Sequence, residues 1–410
     1  MTHPSGLRPS ASGPAAVVHA ALAAAGKCRV RVRGVFSLHA HLAPMLRFLS
    51  QSLLLPLLAW PVAVVGQAGV AGVSRIVAVG DVHGDYGQFV TILRQAGVID
   101  GKTRWVGGRT HLVQTGDVPD RGPDSRKVME LLMALAPQAQ GAGGAVHALV
   151  GNHEAMNMLG DLRYVHPGEY AAFRSGRARQ LQNRAWEVLS DSARRGDKAY
   201  KAQWFAEHPL GWVEQRMAFE GNGRYASWIR NNPAVLKIDD YLFVHGGIGP
   251  RYVDSTMAAI NAHVREALRG DVSPPEGNIA EDPEGPLWYR GLATGSEAEL
   301  AAHVDSVLAR FGVKHIVIGH TVTPGTILPR FGGKVIMIDA GLSAAYGGQQ
   351  AALVVEGDST FTLHRGKRLP LPLAGDLLPY LEAAAALDPA GSRLRQYVEQ
   401  LAAARAPQGR

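Results

Sequence analysis

The sequence of 410 residues contains a single cysteine, Cys28, so the chain can form no internal disulfide bond. A small fold held together by disulfides is therefore excluded. Charged residues are also few, at 19%, whereas hydrophobic residues make up 46% of the chain. This proportion is enough to fill a globular core, which excludes a disordered polymer or a collagen-like fibre.

Acidic residues are absent before residue 69, whereas six of the 42 Lys and Arg residues lie in that segment. Subtracting these six leaves 36 basic residues against 35 acidic ones in the rest of the chain, so the net charge of +7 belongs almost entirely to the first 68 residues. A nearly neutral body offers little to a phosphate backbone, and it carries no recognisable nucleic-acid-binding motif. We therefore expect no nucleic-acid partner.

Residues 1–68 are interpreted as a leader. The run Leu53–Val65 is almost purely apolar, and its length of about 13 residues is short for a membrane span but typical of a secretory signal. Met45 begins a short basic segment before it, and the small residues Gly66 and Ala68 follow it at plausible cleavage positions. We expect translation to start at Met45 and the product to be periplasmic or secreted, so that contact with the membrane is transient. An uncleaved membrane anchor and a cytoplasmic protein are the alternatives.

The body contains several short runs of Val, Ile and Leu that each end in Gly and polar residues. Such runs are typical of buried strands, and helical periodicity between the first three predicts a β-α-β-α-β order. The polar clusters then lie at the carboxyl ends of neighbouring strands, where α/β proteins bind ligands. The runs are Arg75–Asp81, Thr110–Asp117, Ala145–Glu154, Tyr241–Gly247 and His315–Thr321.

The rest of the body divides by composition. Residues from about 159 to 232 are rich in Arg, Ala, Glu and Trp with helical character, which predicts a helical cap inserted beside the sheet edge. The body is predicted to extend from residue 69 to residue 366. A Pro-rich connector then leads into a C-terminal helical tail, 367–410, with helices expected over Asp376–Ala386 and Ser392–Ala404.

The polar clusters together form a mixed set of carboxylate, imidazole and amide groups. Oxygen and nitrogen donors of this kind suit divalent Mn, Fe or Zn better than Ca. Two such ions close together need a shared ligand, which a carboxylate can provide, and Asp117 is the natural bridge. The candidate residues are Asp81, His83, Asp117, Asn152, His153, His245 and His320.

Five motifs of the body resemble the signature blocks of the phosphoprotein phosphatase branch of the calcineurin-like metallophosphoesterases, in the same order. Flanking segments such as VQTGDVPDRGPDS and GNHEAMNMLGD are similar to the bacterial Shewanella-like protein phosphatases. The SAPNY loop of the animal-type Ser/Thr phosphatases is absent from the sequence. The five motifs are GDVHG (80–84), GDVPDRG (116–122), GNHE (151–154), HGG (245–247) and GHT (319–321).

This resemblance implies an α/β fold, a β-sandwich flanked by helices with a helical cap insertion, and makes residues 69–366 the catalytic domain. It also implies a phosphatase with two divalent metal ions. The expected substrate is a phosphorylated protein, at Ser/Thr or Tyr, or a small phosphomonoester. By resemblance, a hydroxide between the two ions attacks phosphorus in line, so no protein nucleophile is needed.

The resemblance also assigns roles to individual residues. Asp117 is shared by both metals, His153 is the general acid, and Asp120 orients it. Arg121, Asn152 and Arg290 are expected to bind the substrate, although Arg290 also fits an ordinary surface arginine, because its local motif differs from that of the eukaryotic enzymes. The implied ligands are Asp81, His83 and Asp117 for the first metal, and Asp117, Asn152, His245 and His320 for the second.

Two alternative functions remain open at this point. The first alternative is hydrolysis of a dinucleoside polyphosphate, because the symmetrical diadenosine tetraphosphatases carry similar blocks. The motif GNHE and the complete motif GDVPDRG favour the phosphomonoesterase over this alternative. A catalytically silent binding module that keeps the metal site is the other. The intact pair of His153 and Asp120 argues against it, since a binder needs no acid. The sequence leaves the oligomeric state open.

Overall fold

The computed structural model describes residues 69–270 and 277–405, so the predicted leader, 1–68, lies outside the described residues. Two β-sheets pack face to face, and helices cover their outer faces. This arrangement confirms the predicted α/β class and the sandwich flanked by helices. In the described ranges, no helix combines the length and the apolar character needed to cross a membrane.

The first sheet has six strands, and three neighbouring strands run parallel to one another. Parallel neighbours require a crossover connection, which helices Tyr86–Gln95 (α1) and Ser125–Gly141 (α2) supply. The other three strands pair antiparallel. In spatial order the strands are Lys367–Pro370 (β11), Ser359–His364 (β10), Ala351–Glu356 (β9), Arg75–Val79 (β1), His111–Gln114 (β2) and Ala145–Ala148 (β3).

The second sheet has five strands, of which the central three are parallel. His245 follows one of these strands directly and His320 follows the next, so both histidines emerge at the carboxyl edge of this sheet. In spatial order the strands are Val235–Ile238 (β4), Tyr241–Val244 (β5), His315–Ile318 (β6), Val335–Met337 (β8) and Leu328–Arg330 (β7).

An apolar core fills the space between the sheets. Ile76 and Val113 enter it from the first sheet, and Phe243 and Val317 from the second. The C-terminal segment completes this core, because two helices at the end of the chain place apolar side chains in it. These helices are Leu378–Ala386 (α12) and Arg393–Arg405 (α13), and the side chains are Tyr380, Leu381, Ala384 and Leu394.

Helices also cover the outer faces of both sheets. Phe89 and Leu132 pack on the first sheet, and Ile260 and Val304 belong to the same continuous apolar cluster beside the second. The remaining helices outside the insertion are Asn152–Leu159 (α3), Met257–Ala267 (α9), Gly291–Thr294 (α10) and Glu297–Phe311 (α11).

The predicted insertion contains five α-helices and a short 3-10 helix, Ser192–Arg194. Part of it has a small core of its own, where Trp186 and Trp204 meet edge to face at 5.3 Å between ring centroids. Its last two helices join the main core through Phe219 and Tyr225. The helices are Pro167–Phe173 (α4), Ala178–Leu189 (α5), Lys198–Glu207 (α6), Trp212–Phe219 (α7) and Arg224–Asn231 (α8).

The structure contains short edge strands that the sequence analysis did not predict. Residues 367–370 were expected to be part of a connector, but they form β11 at the edge of the first sheet. Pro370 ends this strand, and an edge strand tolerates the missing N–H of proline. β4 and β7, at the two edges of the second sheet, were not predicted either, and β7 is only three residues long.

Candidate metal centre

The loops that follow the parallel strands bend sharply at the predicted site residues. His83, Asp117, Asp120, Arg121 and His320 have left-handed backbone conformations, with φ between 47° and 73°. Residues with a side chain rarely adopt this conformation, and the strain persists only where the surrounding structure enforces it. The structure therefore concentrates backbone strain where the sequence places the chemistry.

Asp117 lies at the middle of the site, and its two carboxylate oxygens face different histidines. Oδ1 lies 3.3 Å from Nε2 of His245 and accepts a hydrogen bond of 2.9 Å from the backbone N–H of His153. Oδ2 lies 3.7 Å from Nε2 of His83. A carboxylate that presents one oxygen to each side can be shared by two cations.

Glu154 fixes the loops that carry these groups. Its carboxylate accepts hydrogen bonds of 2.8 to 2.9 Å from the backbone N–H groups of Asp117, Val118 and Gly151. The loop after β2 is thereby joined to the start of α3, where Asn152 and His153 lie. Burial, together with the charge of Asp117, raises the pKa of Glu154 to about 7.

On one side of Asp117, ring nitrogen atoms and an amide oxygen lie close together. His245 Nδ1 faces the carbonyl oxygen of Thr115 at 2.8 Å and therefore carries the ring proton, so Nε2 has a free lone pair. This nitrogen lies 3.0 Å from Asn152 Oδ1 and 3.2 Å from His320 Nδ1. The buried Nε2 of His320 has no hydrogen-bond partner among the described residues. Such a cluster of acceptors fits a divalent cation.

On the other side, His83 Nδ1 faces the carbonyl oxygen of Pro119 at 3.2 Å, which leaves its Nε2 free. That nitrogen lies 3.9 Å from Asp81 Oδ2. Burial lowers the pKa of His83 to about 4, so the ring is neutral and able to bind a metal. Burial, together with the charges of Asp339 and Asp117, raises the pKa of Asp81 well above its usual value. A bound cation would stabilise these buried carboxylates, whose negative charges repel one another.

The described residues contain two groups whose donor atoms lie within 4.8 Å of one another, namely His83, Asp117 and His153, and Asp117, His245 and His320. Asp117 belongs to both. The second group matches the predicted second-metal ligands. The first group contains His153, which was predicted to be the general acid. It does not contain Asp81, which was predicted to be a ligand of the first metal. His153 nevertheless has one ring nitrogen bound to Asp120, and Asp81 lies within 4 Å of His83.

The predicted acid pair is present. His153 Nδ1 lies 2.6 Å from Asp120 Oδ2, and both side chains are buried. Asn157 Nδ2 donates to the other oxygen of Asp120 at 2.9 Å. Burial works to lower the pKa of His153, but the charges of Asp117 and Asp120 and the hydrogen bond to Asp120 outweigh it and raise the pKa. A histidine of this kind can hold a proton next to the metal ligands.

Arg121 lies between two tyrosines at the edge of the site. Its guanidinium carbon lies 3.8 Å from the ring centroid of Tyr164 and 5.9 Å from that of Tyr346. The rings also border the histidines, because Tyr164 lies 5.2 Å from His153 and Tyr346 lies 5.1 Å from His83. Stacking holds the guanidinium plane in place, which suits it to bind phosphate oxygens.

Arg290 lies beside the metal ligand His320. Its Nη1 donates to the carbonyl oxygen of His320 at 2.9 Å and to Thr321 Oγ1 at 2.8 Å. A cavity of about 600 Å³ adjoins it, lined also by Met156 and Trp288. Arg290 is therefore close enough to the site to contact a large substrate, and it supports the His320 loop as well.

Sequence reasoning missed several residues that contact the site. Asn157 lies one helical turn after His153 on α3, so the spacing of four residues was a usable signal. Tyr164 and Glu169 belong to the insertion, and no local pattern marks them. Glu169 Oε1 accepts hydrogen bonds from the backbone N–H of Asp120 at 2.9 Å and from Ser125 Oγ at 2.7 Å. Burial raises the pKa of Glu169 to about 8.

Several known proteins are similar to this chain in sequence or in structure. An uncharacterized protein of Schizosaccharomyces pombe is 33% identical over 72% of this chain and 82% of its own length. Shewanella-like protein phosphatase 2 of Arabidopsis thaliana is 29% identical over 66% of this chain and 72% of its own. The crystal structure of a cold-active protein-tyrosine phosphatase from a psychrophilic Shewanella species is 30% identical, with a TM-score of 0.57, over 74% of this chain and 81% of that one.

The family model for calcineurin-like phosphoesterases matches residues 74–324. This range includes every donor of the cluster, from Asp81 to His320. The similar proteins of known name support the branch with the Shewanella-like protein phosphatases. We conclude that the chain belongs to the calcineurin-like phosphoesterase family and is a metal-dependent phosphatase.

Proposed function

We propose that this phosphatase removes phosphate from protein side chains and prefers phosphotyrosine. The observation that carries the proposal is the acid pair, in which His153 Nδ1 lies 2.6 Å from Asp120, next to donors for two cations. A phosphorylated substrate follows from the family. The choice of a phosphoprotein is supported by the Arabidopsis and Shewanella relatives, and the choice of tyrosine by the Shewanella protein.

We assign Asp81, His83 and Asp117 to one metal ion, and Asp117, Asn152, His245 and His320 to the other. The mixture of oxygen and imidazole donors suits Mn, Fe or Zn. When bound, such ions supply an ionised water molecule as the nucleophile and neutralise charge on the phosphoryl oxygens.

The protein's own groups bind the substrate and handle the proton. Arg121, held between Tyr164 and Tyr346, can bind phosphoryl oxygens through its planar fork of N–H groups. His153 donates the proton at Nε2 to the leaving oxygen, since its Nδ1 is bound to Asp120. Asp120 stabilises the protonated ring and fixes its orientation.

The surroundings of Arg121 favour an aromatic leaving group. Tyr164 and Tyr346 are both half-buried. Tyr164 lies beside His153, and Tyr346 lies beside His83. Aromatic rings pack edge to face or offset against such walls, with a gain of about 1 kcal/mol beyond area burial. The cavity beside Arg290 offers room for residues that flank the phosphorylated side chain.

The test compares metal-loaded enzyme on two peptides of identical sequence, one with phosphotyrosine and one with phosphoserine, alongside diadenosine tetraphosphate. We expect kcat/KM to be at least about tenfold higher for phosphotyrosine, and Tyr164→Leu and Tyr346→Leu to reduce this preference. Tyr200→Leu, in α6, is the matched control, because Tyr200 packs on Trp186 inside the insertion.

Equal kcat/KM for the two peptides would show that the tyrosine preference is wrong while phosphoprotein hydrolysis stands. Cleavage of the nucleotide without cleavage of either peptide would favour the dinucleoside polyphosphate hydrolase. A protein that binds metal but turns over none of the three would favour the silent binding module.

A further inference from the structure

Both carboxylate oxygens of Asp120 are engaged by the protein. Oδ2 faces His153 Nδ1, and Oδ1 accepts a hydrogen bond of 2.9 Å from Asn157 Nδ2. The same amide nitrogen donates to the carbonyl oxygen of His153 at 3.0 Å. The orientation of Asn157 therefore affects both members of the acid pair.

A residue of the insertion fixes that orientation. Gln215, on α7, donates from Nε2 to Asn157 Oδ1 at 2.8 Å. The amide of Asn157 is thus held with its oxygen toward Gln215 and its nitrogen toward Asp120. If the amide turned over, its oxygen would face the Asp120 carboxylate, and two acceptors would repel each other.

The neighbouring residue on α7 attaches this helix to α3. Arg216 Nη1 donates to the carbonyl oxygen of Asn157 at 2.6 Å, and its Nε donates to Glu220 Oε1 at 2.6 Å. Arg216 and Glu220 are both buried. The insertion therefore contacts Asn157 at its side chain and at its backbone.

Gln215 is a poor residue for packing alone. Its side chain is 0% exposed, and its Oε1 has no hydrogen-bond partner among the described residues. A buried amide with one unsatisfied end is costly, and an apolar side chain of the same size would avoid that cost. Among the residues that the structure describes, the donation to Asn157 is the polar contact that accounts for the amide.

We propose that Gln215 is a positioning residue for proton donation: it orders Asn157, which orders Asp120 and through it His153. The inference rests on the proposed role of His153 as the acid. It gives the helical insertion a part in the reaction itself, in addition to any part in covering the site.

The test is Gln215→Met, which keeps the volume and removes the amide, measured on phenyl phosphate and on 4-nitrophenyl phosphate. Nitrophenolate leaves without a proton, whereas phenolate benefits from one. We expect kcat for phenyl phosphate to fall about tenfold, as for loss of a hydrogen bond to a charged group, with a smaller fall for the nitrophenyl ester and little change in KM. Metal content should be unchanged and Tm close to that of the wild type, because the variant removes the unpaired Oε1 of Gln215 but leaves Asn157 Oδ1 without its donor.

Gln203→Met is the matched control, since Gln203 is an exposed residue of α6 in the same insertion. It should leave the ratio of the two kcat values as in the wild type. A proportionate loss on both esters would show that Gln215 serves only the fold.

Asp120→Asn separates this inference from the proposed function. If Asp120→Asn changes the ratio and Gln215→Met adds no further change in that background, the two residues act in one chain, as expected for coupled groups. If Asp120→Asn changes the ratio but Gln215→Met does not, the inference is wrong and the acid pair stands. If Asp120→Asn leaves the ratio unchanged, the role of the pair is wrong, and with it that of Gln215.

Discussion

Asp117 combines three properties that are seldom found in one residue. Its backbone is left-handed, with φ of 57°, its N–H is bound by Glu154, and its carboxylate faces histidines on both sides. Nearby histidines, above all His245, lower its pKa against the opposing effect of burial. The residue is therefore held as an anion in a fixed orientation, as a shared metal ligand requires.

Asp117→Asn replaces one carboxylate oxygen with an amide nitrogen, and it therefore tests whether both oxygens are needed for metal binding. The amide can offer one oxygen but not two, so we expect metal content and turnover to be lost together. Metal stoichiometry is measured by mass spectrometry of the purified protein, with Asp305→Asn as the control, because Asp305 is exposed and pairs with Lys334 at the surface. Two tightly held ions in the Asp117→Asn protein would contradict the shared-ligand role.

His153→Asn separates acid from ligand. Because Nδ1 is bound to Asp120, we expect both metals to remain while kcat falls by roughly 10²- to 10⁴-fold. The loss should be greatest for leaving groups of high pKa, which need the proton most. Steady-state kinetics on alkyl and nitrophenyl phosphates give the comparison. An equal loss on both, or a loss of metal, would remove His153 from the acid role.

Among the loops that carry the site, those containing Gly84 and Gly122 pass against each other. A Cβ on Gly122 would lie 2.5 Å from the carbonyl oxygen of His83 and 2.8 Å from the carbonyl carbon of Gly84. Both neighbours are backbone atoms, so they cannot move aside as a side chain would. This close approach brings the His83 loop and the Asp120–Arg121 turn to the same place.

Gly122→Ala should therefore force the two loops apart. We expect a loss of about 2 kcal/mol of stability, typical of an overpacked site, and a large fall in activity. Thermal unfolding and kcat/KM are measured beside Gly101→Ala, whose Cβ would meet nothing within 4 Å. Wild-type activity in Gly122→Ala would mean that the loops tolerate separation.

The strands that carry ligands could be predicted because each is a short apolar run that ends in glycine and a polar cluster. The order of the motifs then indicated which strand ends carry the candidate metal ligands. Contacts such as that between Asn157 and Gln215, 58 residues apart, depend on how the insertion folds back, and no local periodicity encodes this. The edge strand β11 was missed for a related reason: its exposed, mixed sequence has no two-residue alternation.

For the molecule as a whole, the C-terminal segment is attached by a buried polar cluster. His364 Nε2 and Arg365 Nε both donate to Asp388 Oδ1, the former at 2.9 Å. Asp388 is 3% exposed. Burial alone would raise the pKa of Asp388, but the hydrogen bonds from His364 and Arg365 outweigh it and lower the pKa.

Asp388→Ala should destabilise the fold by about 2 kcal/mol, because it leaves the buried ring of His364 and the partly buried guanidinium of Arg365 without their acceptor. Since the pKa of Asp388 is lower in the folded protein than in the unfolded chain, its contribution is present at neutral pH and is lost as pH falls through the folded value. Urea unfolding at pH 7 and in acid measures both effects. Asp376→Ala, which removes an exposed ion pair with Arg405, should change little. An equal loss of unfolding free energy in the two variants would show that the buried cluster stabilises the fold no more than the exposed ion pair does.

The uneven charge of the whole chain supports a proposal of export. The first 68 residues contain six basic residues and no acidic residue, and they also contain the apolar run Leu53–Val65. We expect N-terminal sequencing of the mature protein from a fractionated native host to find a start near residue 69, in the periplasmic or secreted fraction. An intact N-terminus in the cytoplasmic fraction would contradict the proposal.

The apolar layer between the two sheets is closed by Tyr380, Leu381 and Leu394, which lie near the end of the chain. A ribosome synthesises these residues after every strand of the two sheets, so the sandwich stays open at that face until they emerge. Stalled or truncated nascent chains would expose Ile76 and Phe243 to water and to chaperones. We therefore expect the enzyme to reach its native state only after residues 378–405 have left the ribosome.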